Sequence, residues 1–119
     1  MPKAKLVRFD SVDHNERRTG VVLSSLVDGG TGATQISSGV AEFAAGASAP
    51  MHYHDAEESV IVIEGEGRMV IDGEEHIVRP NDAAFIPPGA HHSIANHGGQ
   101  PFKISWTYAS IEWSTSPVD

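Results

Sequence analysis

Two histidines and a glutamate stand close together near the middle of the chain, at His52, His54 and Glu58. Side chains two positions apart in a β-strand lie on one face, with Cα atoms about 6.5 to 7 Å apart, so the two imidazoles can bind one ion. Glu58 has the same parity, and we expect its carboxylate to join that face if the strand continues past a bulge at Asp55 and Ala56. Two histidines and one carboxylate form a facial ligand set that leaves coordination positions open.

A further ligand is expected from a neighbouring strand, because the segment 87–93 combines Pro-Pro-Gly with two histidines. Proline and glycine there predict a tight turn that delivers His91 or His92 beside the first pair. Glu57 competes with Glu58, but it has the opposite parity and is expected to point outward. His14, His76 and His97 have no partner at ligand spacing, so we interpret them as surface histidines.

Two stretches of the sequence within residues 46–96 together resemble the cupin superfamily. The first follows the spacing Gly, five residues, His-x-His, three residues, Glu, six residues, Gly, at Gly46, His52, His54, Glu58 and Gly65. The second follows the spacing of Pro-x-Gly, two residues, His, three residues, Asn, at Pro87, Gly89, His92 and Asn96. The family's opening glycine of the second motif is Asn81 here, and asparagine is the next best residue for a turn that needs positive φ.

The resemblance implies an all-β fold of the cupin type, a double-stranded β-helix or jelly-roll barrel. It implies one cupin domain over residues 1–119, a small monocupin, with the two motifs within 46–96. It selects His92 over His91 and implies one divalent transition-metal ion held by His52, His54, Glu58 and His92. Manganese or iron is favoured because the family commonly uses them, whereas zinc, nickel and copper also fit the ligand types.

The rest of the sequence agrees with an all-β chain, because short β-branched and aromatic runs alternate with glycine, proline, asparagine and aspartate. Asp72-Gly73 predicts a type I′ hairpin turn. The C-terminal residues 116–119 are expected to fray. The predicted strands are Leu6–Phe9, Thr19–Val27, Gln35–Phe43, Met51–His54, Ser59–Glu64, Arg68–Ile71, His76–Arg79, Ala83–Ile86, His92–Ala95 and Phe102–Tyr108.

The run Val60–Ile63 is apolar on both faces, although a strand with one wet face should alternate. A covering element is therefore expected on its outer side. A second subunit is favoured, which predicts a homodimer. The alternative is that the N-terminal segment of the same chain covers this strand.

Composition excludes several classes of function. The formal net charge is −8, which argues against a nucleic-acid partner. The N-terminus lacks a signal-peptide core and no stretch is long enough for a membrane span, so we expect a soluble, cytoplasmic protein without membrane contact. The absence of cysteine excludes thiolate catalysis and cysteine-based metal sites.

Candidate substrate contacts come from aromatic residues near the motifs, namely Trp106, Phe43 and Phe85, although such residues are more often core. Glu58, Tyr108 and His97 are candidate proton carriers. A carboxylate substrate would need a nearby basic residue, and Arg68 and Arg79 are closest to the motifs in sequence, although charge on the solvent face of a strand is the favoured explanation for both.

The favoured function is a metalloenzyme acting on a small oxygen-rich or carboxylate-bearing molecule, of the dioxygenase, decarboxylase, isomerase or lyase type, with oxidation preferred. The alternative is a non-catalytic module that binds a small ligand or the metal. A storage-like structural barrel is a third hypothesis, and it would not need intact ligands.

Overall fold

The computed structural model describes residues 3–118, which fold almost entirely into antiparallel β-strands. Two single-turn 3-10 helices, Phe9–Ser11 and Gly29–Thr31, are the helical elements of this described part. The strands are β1 Asn15–Arg18, β2 Val21–Val27, β3 Ser37–Phe43, β4 Ser48–His54, β5 Glu58–Glu64, β6 Gly67–Ile71, β7 Glu74–Val78, β8 Ala83–Ile86, β9 His92–Asn96, β10 Phe102–Tyr108 and β11 Thr115–Pro117.

The strands form two sheets. The six-stranded sheet has the order β1-β2-β3-β10-β5-β8, and the five-stranded sheet has the order β11-β4-β9-β6-β7. Strands distant in sequence are neighbours in both sheets, since β10 lies between β3 and β5 and β9 lies between β4 and β6. The all-β, jelly-roll architecture predicted from the sequence is confirmed.

The hydrophobic core lies between the inner faces of the two sheets. Burial alternates strictly along β10, so every second side chain from Phe102 to Tyr108 is buried, as the period of a strand requires. The most deeply buried large side chains are Phe43, Phe102, Met69 and Ile86. Gly67 packs directly against the Phe102 ring, where any Cβ atom would clash.

Two predicted turns have the backbone angles that their residues favour. Asp72 and Gly73 have φ values of +49° and +83°, the left-handed pair of a type I′ hairpin joining β6 and β7. Asn81 has a φ of +78°, so it adopts the conformation for which glycine is the usual residue.

The sequence analysis was wrong near both ends of the chain: one predicted strand is absent, one strand was missed, and a segment expected to fray is paired. Residues 6–9 form no strand, and Phe9 begins a 3-10 turn. Strand β1 was missed because its four residues, Asn-Glu-Arg-Arg, are all polar and exposed, which leaves no alternation to detect. Of residues 116–119, which were expected to fray, Ser116 and Pro117 instead pair with β4 opposite Tyr53 and His52, and Asp119 lies outside the described residues.

The outer face of β5 is apolar and open in the described structure. Ile61 and Ile63 are 45% and 47% exposed, and Phe85 of neighbouring β8 is 64% exposed. The alternative that the N-terminal segment covers this strand was wrong. That segment lies over β2 and β10 instead, with His14 bonded to Ser24 at 2.6 Å and the Lys103 ammonium above the Phe9 ring.

Candidate metal centre

Three of the predicted ligands, all histidines, converge between the two sheets, and Glu58 lies against two of them. His52 and His54 lie on β4, and His92 lies directly opposite His52 on β9 of the same sheet. Glu58 is the first residue of β5 in the other sheet and faces the histidines across the interior. The expected bulge at residues 55–56 was wrong, because the chain bends there and crosses between the sheets, yet Glu58 still faces inward and is buried.

The distances are those of a site able to hold one ion. One nitrogen from each of the three histidines can be chosen so that all lie within 4.8 Å of one another. A Glu58 carboxylate oxygen, Oε1, lies 3.6 Å from His54 Nε2 and 3.5 Å from His92 Nε2. An ion within normal ligand distance, about 2.0 to 2.2 Å for zinc, requires donors separated by about 3 to 4 Å. The three histidine nitrogens are up to 4.8 Å apart, so side-chain adjustment would bring them to this spacing, and Glu58 Oε1 already has this spacing from His54 and His92.

Backbone carbonyls set the direction of all three imidazoles. The Nδ1 atoms of His52 and His92 lie 2.6 and 2.9 Å from the carbonyl oxygens of Pro50 and Ala90. His54 Nδ1 lies 3.3 Å from the Ser114 carbonyl oxygen. Because a carbonyl only accepts, the proton of each neutral imidazole is assigned to Nδ1, which leaves the Nε2 lone pair directed toward the centre.

Electrostatics favour a cation at this centre. Glu58 Oε1 is buried and accepts no hydrogen bond from the described residues. The Nε2 atoms of His54 and His92 lie 3.6 and 3.5 Å from this oxygen, outside hydrogen-bond distance. An unpaired buried polar atom destabilises the fold, and a divalent ion bound to the Glu58 carboxylate would remove that cost. The ion and this one carboxylate would together carry one net positive charge. The residues present thus fit a divalent metal ion.

Burial keeps two of the imidazoles in the ligating form. Removal from water lowers the pKa of His52 and of His54 below the ordinary imidazole value, and neighbouring histidines lower both further. Both rings are therefore neutral at neutral pH, the state in which imidazole binds metals.

Tyr108 joins the centre from β10 of the opposite sheet. Its hydroxyl lies 3.1 Å from His54 Nε2, and its backbone is the strand partner of Glu58. Burial raises the pKa of the Tyr108 phenol far above its ordinary value, with the Glu58 charge as the next cause. Tyr108 therefore keeps its proton and acts as a hydrogen-bond donor.

The centre opens into a cavity of about 490 Å³ between the sheets. Trp106 and Phe43, both predicted substrate contacts, line it together with Tyr108. The indole Nε1 of Trp106 is buried without a hydrogen-bond partner among the described residues. An unpaired donor beside an aromatic wall is typical of a cavity that accepts a ligand with apolar surface and oxygen atoms.

The C-terminal segment supplies a wall that the sequence analysis missed. Trp113 stacks on Tyr108 with ring centroids 4.2 Å apart and approaches His54 edge-on at 5.6 Å. Thr115 Oγ1 lies 3.1 Å from His54 Nδ1, and the Ser114 amide donates to the Asp55 carboxylate at 2.8 Å. No sequence signal linked these residues to the centre, because they lie more than fifty positions from His54.

Several predicted residues lie away from the cavity. Phe85 points outward on β8, because its neighbour Ile86 takes the buried face, so its assignment as a substrate contact was wrong. His97 is 44% exposed and pairs with Glu66 at 3.5 Å, outside the cavity lining, which argues against a role as proton carrier.

The other residues considered as metal ligands or as substrate-binding bases also point outward. Glu57 and His91 are exposed, as their parity predicts. Arg68 and Arg79 pair with Glu75 and Glu66 on the surface, and neither lines the cavity. The basic residues that line the cavity are instead Arg17 and Arg18.

Residues 39–108 match the profile of the Cupin domain family, and the chain belongs to that family. The match covers the strands that carry the four ligands, so the resemblance drawn from the two motifs is confirmed.

Particular relatives are of similar size. The chain is 35% identical over 97 residues to Protein SchB of Streptomyces halstedii, covering 81% of this chain and 70% of the relative. It is 30% identical over 102 residues to the tetracenomycin polyketide synthase protein TcmJ of Streptomyces glaucescens, covering 85% and 68%. Some curated relatives are much longer, and the match spans only 12% of a mannose-1-phosphate guanylyltransferase from Klebsiella pneumoniae, at 39% identity over 57 residues, 48% of this chain.

A solved structure resembles the whole described fold. The polyketide cyclase RemF from Streptomyces resistomycificus superposes with a TM-score of 0.87 at 25% identity, covering 98% of this chain and 87% of RemF. Enzymes are therefore among the proteins that share this family and this fold.

No helix in the described residues is long and apolar enough to cross a membrane.

Proposed function

We propose that the chain is a metal-dependent enzyme acting on an oxygen-rich molecule of aromatic size, of the kind found among polyketides. The carrying observation is the convergence of three Nε2 lone pairs and the unpaired Glu58 oxygen at a cavity walled by Trp106 and Tyr108. A purely structural barrel would have no reason to keep such a costly polar cluster in its interior.

The cavity volume favours a substrate larger than a two- or three-carbon acid. About 490 Å³ lies within the range of pockets that enclose drug-sized molecules. Trp106, Tyr108 and Trp113 form an aromatic wall of the cavity against which a flat substrate would pack. The names of TcmJ and RemF, which refer to a polyketide synthase and a polyketide cyclase, support the same substrate class.

Each residue of the site has a distinct role in this proposal. His52, His54, His92 and Glu58 would hold the ion, whose chemistry would be Lewis acidity toward a carbonyl or enolate oxygen and, for iron or manganese, redox chemistry. Tyr108 donates a hydrogen bond toward the substrate oxygen nearest His54. The aromatic wall orients the substrate and excludes water.

Manganese or iron is the proposed metal, and zinc, nickel and copper are the alternatives. Three nitrogen donors and one oxygen donor suit all of these ions. Cyclisation is the proposed reaction because of the likeness to RemF, and oxidation by dioxygen is the alternative.

The test uses the purified protein reconstituted separately with each of the five metals. A panel of multi-ring phenols, β-diketones, diols and small acids is supplied, while oxygen uptake and product mass are recorded. Turnover of a multi-ring or β-diketone compound by native protein and by His91→Ala, but not by His92→Ala, is the expected result. His91 is the matched control, because it is adjacent in sequence and exposed.

Two outcomes contradict the proposal. Turnover that survives in His92→Ala would remove the metal from the reaction. Tight binding of panel compounds that are recovered unchanged with every metal would assign the chain to the non-catalytic binding modules. Oxygen uptake coupled to turnover would favour oxidation over cyclisation. The cytoplasmic location and the homodimer stay predictions alongside this function.

A further inference from the structure

We propose that Arg17 and Arg18 form an oxyanion subsite at the mouth of the metal cavity, so that the substrate carries a carboxylate or phosphate group at the end remote from the metal. This inference rests on the proposed function, since it names the charge of the same substrate. Both arginines line the cavity although they are adjacent in sequence.

A β-bulge explains how two consecutive side chains reach one cavity. Strand β1 pairs with β2 through Asn15 with Leu23 and Glu16 with Val22, but the next pair is Arg18 with Val21. Arg17 is the extra residue of this irregularity. In a regular strand one of two consecutive arginines would point to the outer face, and a bulge re-aims a side chain in this way.

The register confirms the direction of both side chains. Val21 and Leu23 line the cavity, so their partners on β1 face inward. Arg18 is opposite Val21 and therefore faces inward, whereas Arg17 shares the inward face with Asn15 by alternation. Arg17 also lines an adjoining pocket with Trp106 and Trp113, which places it beside the aromatic wall.

Arg17 and Arg18 also differ in their partners from the basic residues that lie away from the cavity. Arg68 and Arg79 are neutralised by Glu75 and Glu66. Within residues 3–118, no carboxylate forms an ion pair with Arg17 or Arg18. On a chain with a net charge of −8, two unpaired cations at the opening of a metal cavity create a local positive field that attracts an anionic ligand.

Neighbouring contacts hold the bulge in place. The Glu16 carboxylate accepts a hydrogen bond from the Gly20 amide at 2.9 Å, which closes the turn between β1 and β2. Gly20 has a φ of +79°, the left-handed conformation that such a turn requires. Guanidinium groups bind carboxylate and phosphate through paired hydrogen bonds, so this fixed position is suited to an oxyanion.

The test measures binding to metal-free protein, so that the ion itself does not attract the anion. The probes are 2-naphthoic acid, its neutral amide and 2-naphthyl phosphate, titrated by calorimetry and by tryptophan fluorescence. The acid or the phosphate is expected to bind native protein about tenfold or more tightly than the amide, as for a charge-assisted hydrogen bond. The ratio of acid to phosphate affinity identifies which oxyanion the subsite prefers.

The variants separate the subsite from general electrostatics. Arg17→Gln and Arg18→Gln are expected to reduce the preference for the anion, and the double variant to abolish it, with amide affinity unchanged. Arg79→Gln is the matched control and should keep the full preference. Arg17→Lys should recover only part of it, since lysine lacks the paired donors.

If neither anion binds native protein more tightly than the amide, whether all the probes bind or none does, the subsite does not exist. An anion preference that persists in the double variant also overturns it. Failure of the proposed function has a different signature, namely absence of metal binding or turnover with the anion preference intact.

Discussion

At the scale of single residues, Glu58 is the group whose surroundings are least favourable without an ion. Its buried Oε1 accepts no hydrogen bond from the described residues, and the imidazole Nε2 atoms of His54 and His92 lie 3.6 and 3.5 Å away. In the proposed metal site this oxygen is a ligand, and its cost to the fold is offset when the ion binds.

Glu58→Gln separates the cost of the buried carboxylate to the fold from its role as a metal ligand, because glutamine keeps the shape of glutamate and can donate toward Nε2. The metal-free variant is expected to be as stable as native protein or up to about 1 to 3 kcal/mol more stable. Its metal affinity is expected to fall. Chemical unfolding in chelator and metal titration measure the two quantities. A metal-free variant less stable than native protein would mean that Glu58 has a structural role.

Tyr108 allows a second test at the same scale. Tyr108→Phe removes only the hydroxyl that lies 3.1 Å from His54 Nε2. We expect turnover to fall on the order of 100-fold, as on removal of one preorganised donor, with metal content retained because the ligands are intact. Steady-state kinetics and metal analysis of the same sample decide this. Unchanged turnover would restrict Tyr108 to packing.

The residue types and spacings predicted all four converging groups, because the parity of a strand and the two motifs act over short sequence distances. They did not predict the positively charged residues at the mouth of the cavity. Arg17 and Arg18 lie on a strand with no hydrophobic alternation, and their direction depends on a bulge. Phe85 and His97 were misplaced because sequence proximity to a motif does not fix which face a side chain takes.

At the scale of elements, the C-terminal strand β11 is the least expected contributor to the site. It pairs with β4 beside His52 and His54, and the preceding Ser114 carbonyl accepts from His54 Nδ1. Proline and serine in a terminal segment ordinarily indicate fraying, and only pairing with a distant strand gives this segment its structure.

Removal of residues 111–119 is expected to weaken metal affinity by about 10- to 100-fold, because outer partners orient metal-bound histidines. Removal of residues 1–8 is the control, since the described part of that segment contributes nothing to the cavity lining. Metal titration measures affinity, and circular dichroism verifies that both variants are folded. Equal affinity in the two variants would show that β11 does not position His54.

At the scale of the whole molecule, the two-sheet arrangement explains how a site forms from residues that lie more than fifty positions apart. One sheet supplies three histidines, and the other supplies Glu58, Trp106 and Tyr108. The alternation of buried and exposed residues predicted most strands. It did not predict the crossing between sheets after His54, because a bend and a bulge have similar local sequences.

The outer face of β5 bears on the predicted homodimer. Ile61 and Ile63 are each nearly half exposed beside Phe85, and a second subunit would remove this apolar surface from water. We expect native protein to be a dimer by light scattering and Ile61→Asp to be a monomer. Ile36→Asp is the control, because Ile36 is equally exposed but lies before β3, away from the patch. A native monomer at micromolar concentration would contradict the prediction.

The most direct test of the central claim is the metal content of the reconstituted chain. Elemental analysis after removal of free ions is predicted to give one divalent transition-metal ion per chain in native protein and in His91→Ala. It is predicted to give almost none in His92→Ala. A native protein that retains no ion, or a His92→Ala variant that retains as much as His91→Ala, would contradict the account.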